Sequence, residues 1–204
     1  WYIDTHSGAG AYSLDSGYAA KLAEYKEGIG RLWSRNDLPP AVADYVELVR
    51  RINPDRRLLA YPGSPYFALW TMREQDRLRL FELHSKDARL LHENFDSAGK
   101  QVVVEAGDGF VGLKAMLPPP PRRALVLIDP SYEIKSDYAK VAAAVRDALK
   151  RFATGVYRVW YPIIGRPEAH GLPRRLKTLA RQAGRTWLHA TLNVGAAPGG
   201  AHVE

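Results

Sequence analysis

Cysteine is missing from all 204 residues, which excludes a disulfide framework and thiolate metal sites. Its absence fits a reducing compartment, so a cytoplasmic location is expected. Long apolar runs are missing as well. Nothing approaches the roughly 20 residues of a membrane span, and no secretory leader is visible, so no membrane partner is expected. No Gly-Lys-Ser/Thr follows a glycine loop, which excludes a nucleotide P-loop. His84, His92, His170, His189 and His202 show no ligand spacing, and no metal is expected. An initial methionine is missing too. The sequence opens on the strand-like Trp1-Tyr2-Ile3-Asp4 and stops at Gly199-Gly200-Ala201-His202-Val203-Glu204 without a closing element. It reads as the central part of a longer protein, with both ends missing.

Acidic residues are in deficit: 29 Lys and Arg stand against 22 Asp and Glu, a formal charge of +7. That balance favours a polyanionic partner. Arg56-Arg57, Arg122-Arg123, Arg174-Arg175 and Lys177 read individually as solvated faces. Collectively they could form a phosphate-tracking surface. The length suits a single domain over residues 1–204.

Apolar runs alternate with helical patterns, the signature of an α/β domain with a mainly parallel sheet. Strands are expected at 1–4, 77–83, 101–105, 124–129, 156–161 and 186–194. Helices are expected at about 18–33, 41–52, 64–74, 86–95, 137–152 and 173–183, with a short one ending at Leu117. Ser64 reads as an N-cap and Pro65 as the first helical residue. The four prolines Pro118 to Pro121 read as a stiff connector. The run 124–129 is continuously apolar until Asp129, as in a strand buried on both faces. The stretch between the first two strands holds about three helices where a crossover needs one. Residues about 34–62 are therefore expected to be a small helical insertion.

In an open α/β sheet, ligands bind beyond the carboxyl ends of the strands. Four strand ends here carry polar or glycine-rich signals: Asp4 with Gly8 and Gly10, Glu82, Asp108 with Gly109, and Asp129. Glycine lets backbone approach a ligand closely. Glu82 is placed to accept hydrogen bonds from a ribose diol. A dinucleotide fits poorly, because position 13 is Ser13 rather than glycine and Glu82 lies far beyond the usual offset of about 20 residues. A nucleoside without a phosphate bridge fits better, and S-adenosylmethionine is such a ligand. Asp108 would accept from its adenine amino group, and Gly109 would leave room for the ring.

Asp129-Pro130-Ser131-Tyr132-Glu133 suits transfer to the amino group of a base. That nitrogen's lone pair is delocalised into the ring. A carboxylate accepting one N–H and a backbone carbonyl accepting the other favour a pyramidal, more nucleophilic nitrogen. Asp129 and Pro130 can supply the two acceptors, and Asp129 can take the proton afterwards. Tyr132 can stack on the base. A duplex base must be flipped out first, at a cost of a few kcal/mol, less in a loop.

Five segments, Asp4 to Gly10, Tyr61 to Pro65, Arg73 to Asp76, Glu82 to His84 and Leu127 to Glu133, carry a family resemblance. Arg151 to Gly155 and Trp160-Tyr161-Pro162 extend it. Together they resemble the large-subunit (23S) ribosomal RNA adenine-N6 methyltransferase J family over nearly the whole chain. The resemblance implies a Rossmann-like class I methyltransferase fold and S-adenosylmethionine as cofactor. It implies cofactor contacts at His6, Ser64, Glu82, Asp108 and Gly109, and Asp129 as catalytic acid or base. Gly8 lies in the same turn as His6 and joins that set. The implied reaction is methylation of adenine N6 in 23S ribosomal RNA, on a flipped or single-stranded base, by a monomer. A DNA adenine-N6 methyltransferase and a non-catalytic nucleic-acid-binding protein of the same fold stay open, since members have also been linked to use of external DNA. The sequence departs from the family's Asp-Pro-Pro-Tyr at Ser131, which restores a backbone N–H and loosens φ. The family's N-terminal arm, with His and Lys residues, precedes the point where this sequence starts.

Overall fold

A computed structural model describes residues 1–15 and 24–192. Its main sheet has five strands. In spatial order they are Val102–Ala106 (β5), Leu78–Glu82 (β4), Tyr2–Asp4 (β1), Leu125–Ile128 (β6) and Val156–Val159 (β7). β4 and β5 run parallel, with Leu78 opposite Val102 and Glu82 opposite Ala106. β6 and β7 also run parallel, with Leu125 opposite Val156 and Ile128 opposite Val159. This is the expected α/β architecture. The chain divides into two compact units: Tyr2 with Asp4–Asp108, and Trp1 with Ile3 and Gly109–Glu204.

The first of these units carries a second, antiparallel ribbon. Ala11–Ser13 (β2) pairs with Ala60–Pro62 (β3), Tyr12 facing Tyr61. Short helices Glu24–Glu27 (α1) and Ile29–Leu32 (α2) follow β2. They replace the single helix expected at 18–33. Gly28, at φ −103° and ψ −109°, breaks the helical path between them, and residues 18–23 lie outside the described residues. Pro40–Arg51 (α3) matches its expected bounds to within one residue, with proline in its first turn. Val46 and Val49 pack with Ile29. Ser64–Thr71 (α4) leads into β4, and Ser85–Phe95 (α5) joins β4 to β5. On α5 the buried Ala88, Leu91 and Phe95 recur at helical spacing. Leu91 and Phe95 meet Leu78, Leu80 and Val102 from the strands. Each fully buried leucine there contributes about 1.5–3 kcal/mol.

The other unit packs Gly109–Met116 (α6), Ser136–Arg151 (α7) and Pro167–Gln182 (α8) with β6 and β7. Tyr138, Val141, Ala142, Val145 and Ala148 form the buried stripe of α7. α8 packs against α7 and buries Ala169, Leu172 and Leu179. It begins at Pro167 rather than at Pro173, which the helix holds in its interior. β6 is buried on one face only: Val126 and Ile128 are sealed, while Leu125 is 40% exposed. The apolar run therefore marked a strand correctly but overstated its coverage. The strand expected at 186–194 is not formed over 186–192, where Leu188 is 92% exposed; the rest lies outside the described residues. No helix among the described residues is long and apolar enough to cross a membrane.

Candidate functional site

β1 ends at Asp4, which is completely buried. Its Oδ2 accepts from the Ser64 hydroxyl at 2.6 Å and the Tyr2 hydroxyl at 3.2 Å, and Oδ1 accepts from the His6 backbone N–H at 3.3 Å. Burial lifts the carboxyl to about 6, and the hydrogen bonds from Ser64, His6 and Tyr2 oppose that rise. Ser64 thus spends its hydroxyl on Asp4 and makes no helix cap; the residue preceding α4 is Gly63. The helix starts one residue earlier than expected, at Ser64 itself, and this shift is why the N-cap expectation fails.

The turn after β1 is fixed from the neighbouring strand. Glu82, at the carboxyl end of β4, accepts the Gly8 N–H on Oε2 and the His84 N–H on Oε1, both at 2.8 Å. The Ser7 N–H donates to the Phe81 carbonyl at 2.9 Å. Gly8 sits at φ +60°, where a Cβ would also collide with the Tyr12 hydroxyl. His6 Nδ1 lies 2.7 Å from the Thr5 hydroxyl. The His6 N–H and Ser64 hydroxyl thus meet at Asp4, and the Gly8 N–H meets Glu82. Asp108 is exposed one strand farther, just past β5. Gly109, buried, opens α6.

The Asp129 turn belongs to the other unit. Asp129 is half-buried at the end of β6, Pro130 is buried and Ser131 is exposed. Tyr132 adopts φ +57° and is only 2% exposed. Its ring packs on Tyr138 at 4.6 Å between centroids, and its hydroxyl donates to the Trp160 carbonyl at 2.7 Å. Burial, aided by the nearby Asp129 charge, raises the Tyr132 hydroxyl pKa. Arg166, the residue before α8, donates to the Tyr132 carbonyl at 3.1 Å. Both ends of Tyr132 are therefore held.

Trp160 continues the β6–β7 register past Ile128 and Val159, and so stands beside Asp129. Its N–H donates to the Ile128 carbonyl at 3.2 Å, and it is 52% exposed. The sequence marked Asp4 as a strand-end acid but pointed to no role for Trp160 or Arg166. Trp160 lay within a recognised motif, Trp160-Tyr161-Pro162, while the bond from Arg166 joins residues far apart in sequence and has no local signal.

In the first unit, Asp4 and Glu82 stand at the carboxyl ends of β1 and β4, with a glycine turn after β1, the end of an α/β sheet at which ligands bind. A family model described as "Ribosomal RNA large subunit methyltransferase D, RlmJ" matches residues 1–198. "Ribosomal RNA large subunit methyltransferase J" of Haemophilus influenzae is 49% identical over 169 residues, covering 82% of this chain and 60% of the relative. Its namesake from Escherichia coli is 47% identical over 167 residues, covering 82% and 59%. The chain thus spans about three fifths of the length of these curated relatives. The crystal structure of protein LPL1258 from Legionella pneumophila superposes with a TM-score of 0.80 at 40% identity, covering 87% of this chain and 65% of that one. With its Rossmann-like sheet and a match along almost its entire length, the chain belongs to the RlmJ family of large-subunit ribosomal RNA methyltransferases.

Proposed function

We propose that this chain is the catalytic core of an enzyme that methylates the N6 amino group of an adenine in 23S ribosomal RNA, using S-adenosylmethionine. The observation that carries the reading is the Asp129-Pro130 turn at the carboxyl end of β6, in a chain matched by the RlmJ family along nearly all of its length.

The residues of β1 and β4 fit the cofactor. Each Glu82 oxygen accepts one backbone N–H. Each keeps a second lone pair, which suits the two hydroxyls of a ribose. His6 and Ser64, both tied to Asp4 or its neighbour, hold the turn beneath the nucleoside. Asp108 is exposed for an adenine amino group, and Gly109 leaves room beside it. Bound there, S-adenosylmethionine supplies an electrophilic methyl group on a sulfonium.

The chain's own residues prepare the acceptor. The Asp129 carboxylate takes one amino N–H and the Pro130 carbonyl takes the other, which localises the nitrogen lone pair. On gaining the methyl group, whose bond to sulfur breaks to leave a neutral thioether, the nitrogen would shed a proton to Asp129. Tyr132, with its ring buried and its hydroxyl engaged, serves to fix this turn rather than to stack on the base. Trp160, exposed beside Asp129, supplies the aromatic face. The enzyme works as a monomer in the bacterial cytoplasm, on an adenine that is unpaired or flipped out.

The test uses the full-length protein, isotopically labelled cofactor and unmodified 23S ribosomal RNA. Label should enter RNA as N6-methyladenine, and Asp129→Ala should lower the rate by at least a hundredfold, the scale of a lost general base. Label entering DNA but not RNA, or unchanged turnover in Asp129→Ala, would overturn the reading.

A further inference from the structure

The outer face of α8 carries a row of basic side chains. Arg174, Lys177 and Arg181 recur at three- and four-residue spacing, so they share one side of the helix. His170 lies one turn before them on that side. Leu172 and Leu179 face the core instead, and both are buried. Arg174 and Arg181 are exposed and Lys177 is half-buried.

Two observations separate this face from an ordinary solvated one. First, its charges are uncompensated. On α7, Arg151 pairs with Asp147 and Lys140 with Asp137. Among the described residues, no acid forms an ion pair with Arg174, Lys177 or Arg181. The single acid of α8, Glu168, lies in its first turn. Second, two of the three cations stack on an indole. Trp187, 44% exposed, lies under Lys177 Nζ at 4.5 Å and the Arg181 guanidinium at 5.8 Å. Stacking on an indole restrains long side chains while leaving their N–H donors outward.

This row also begins at the catalytic turn. Arg166 immediately precedes α8 and donates to the Tyr132 carbonyl. At about 1.5 Å of rise per residue, Arg181 lies roughly 22 Å farther along the axis. An extended polyanion whose reacting base reaches Asp129 could follow that line.

We propose that the Arg174–Lys177–Arg181 face of α8, braced by Trp187, grips the phosphate backbone of the RNA that presents the target adenine. The inference rests on RNA being the substrate, but it concerns where that RNA is held. Phosphate contacts orient the strand without reading its sequence. They also release counterions, so their number is legible in salt dependence.

The experiment compares the full-length protein with an Arg174→Ala, Lys177→Ala, Arg181→Ala triple variant. Affinity for a 23S ribosomal RNA fragment is measured across a salt series. Each lost phosphate contact reduces the slope of log affinity against log salt by about 0.7–0.9. The triple variant should therefore lose about two to three from that slope. Its KM for RNA should rise at least tenfold, while its kcat and its affinity for S-adenosylmethionine stay as in the wild type. A double variant, Arg174→Lys and Arg181→Lys with Lys177 retained, should keep most of the slope, which separates charge from folding. An unchanged slope and KM would overturn the proposal. So would a loss confined to binding of vesicles containing anionic lipid. Failure of the wild type to methylate RNA would instead count against the proposed reaction, and the two failures are read in different assays.

Discussion

At the scale of single residues, the most consequential group is one whose importance arises from burial. Asp4 is completely buried, and its carboxyl is lifted from 3.8 to about 6. Between those values the folded protein holds a proton that the unfolded chain has released. Stability should therefore fall as pH rises from about 4 to 6 and remain lower above that range. The shift is worth on the order of 3 kcal/mol. Asp4→Asn keeps the size of the side chain and removes the titration. Relative to wild type, this variant should gain stability by that order between pH 4 and pH 7, as measured by chemical denaturation. Parallel pH profiles for the two proteins would show that the slope arises elsewhere. A second pair of substitutions separates holding the turn from facing the base. Tyr132→Phe loses the bond to the Trp160 carbonyl and should cost about 1 kcal/mol of stability. Trp160→Ala should leave stability nearly unchanged and lower kcat/KM for RNA about tenfold or more, as expected for a lost base–aromatic stack. Trp160→Phe should recover most of that loss. Equal activity in Trp160→Ala would return the stacking role to another side chain.

At the scale of elements, the loop that closes the insertion is organised by one amide. Asn53 donates from Nδ2 to the Val49 and Ala60 carbonyls and accepts on Oδ1 from the Leu59 and Ala60 N–H groups. All four of its hydrogen-bonding positions are used inside the protein. Asn53→Asp turns two donors into acceptors facing carbonyl oxygens. It should cost about 2–4 kcal/mol, more than Asn53→Ala, as measured by thermal unfolding. The sequence identified this segment only as a helix stop, because the four partners are not visible as a local pattern. The same reason explains which elements were legible. β4, β5 and β6 combine apolar runs with polar ends, and their positions emerged nearly correctly. β2 and β3 are three residues each and pair across almost fifty residues, so neither has a local signal in the sequence. Pro173 resembled a helix start because proline favours the first turn, yet α8 accommodates it in its interior. Apolar alternation at 186–192 suggested a strand, but alternation supplies no hydrogen-bonding partner. At the candidate site, acids and glycines at strand ends were legible from type and position. The buried pose of Tyr132 depends on Tyr138, Trp160 and Arg166, and only folding brings these to it.

At the scale of the whole molecule, the proposed cofactor site must couple ligand occupancy to stability. Anything that binds the folded chain alone stabilises it, by about 2.7 kcal/mol at a hundred times the dissociation constant. S-adenosylmethionine or its demethylated product should therefore raise the unfolding midpoint of the full-length protein. Glu82 allows the source of that rise to be identified. Its two oxygens already order Gly8 and His84, and the proposed ribose contacts use the lone pairs that remain. Glu82→Gln replaces one acceptor with an N–H donor opposed to a backbone N–H. Without ligand it should lose about 1–3 kcal/mol, the cost of an unsatisfied buried group. With ligand it should also lose most of the stabilising increment, because the ribose no longer meets a carboxylate. Calorimetric scans of both proteins, with and without the ligand, separate the two effects. A smaller baseline stability with a full ligand increment would confine Glu82 to holding the turn. Loss of both would make one carboxylate the link between the shape of the β1 and β4 ends and the nucleoside they are proposed to receive.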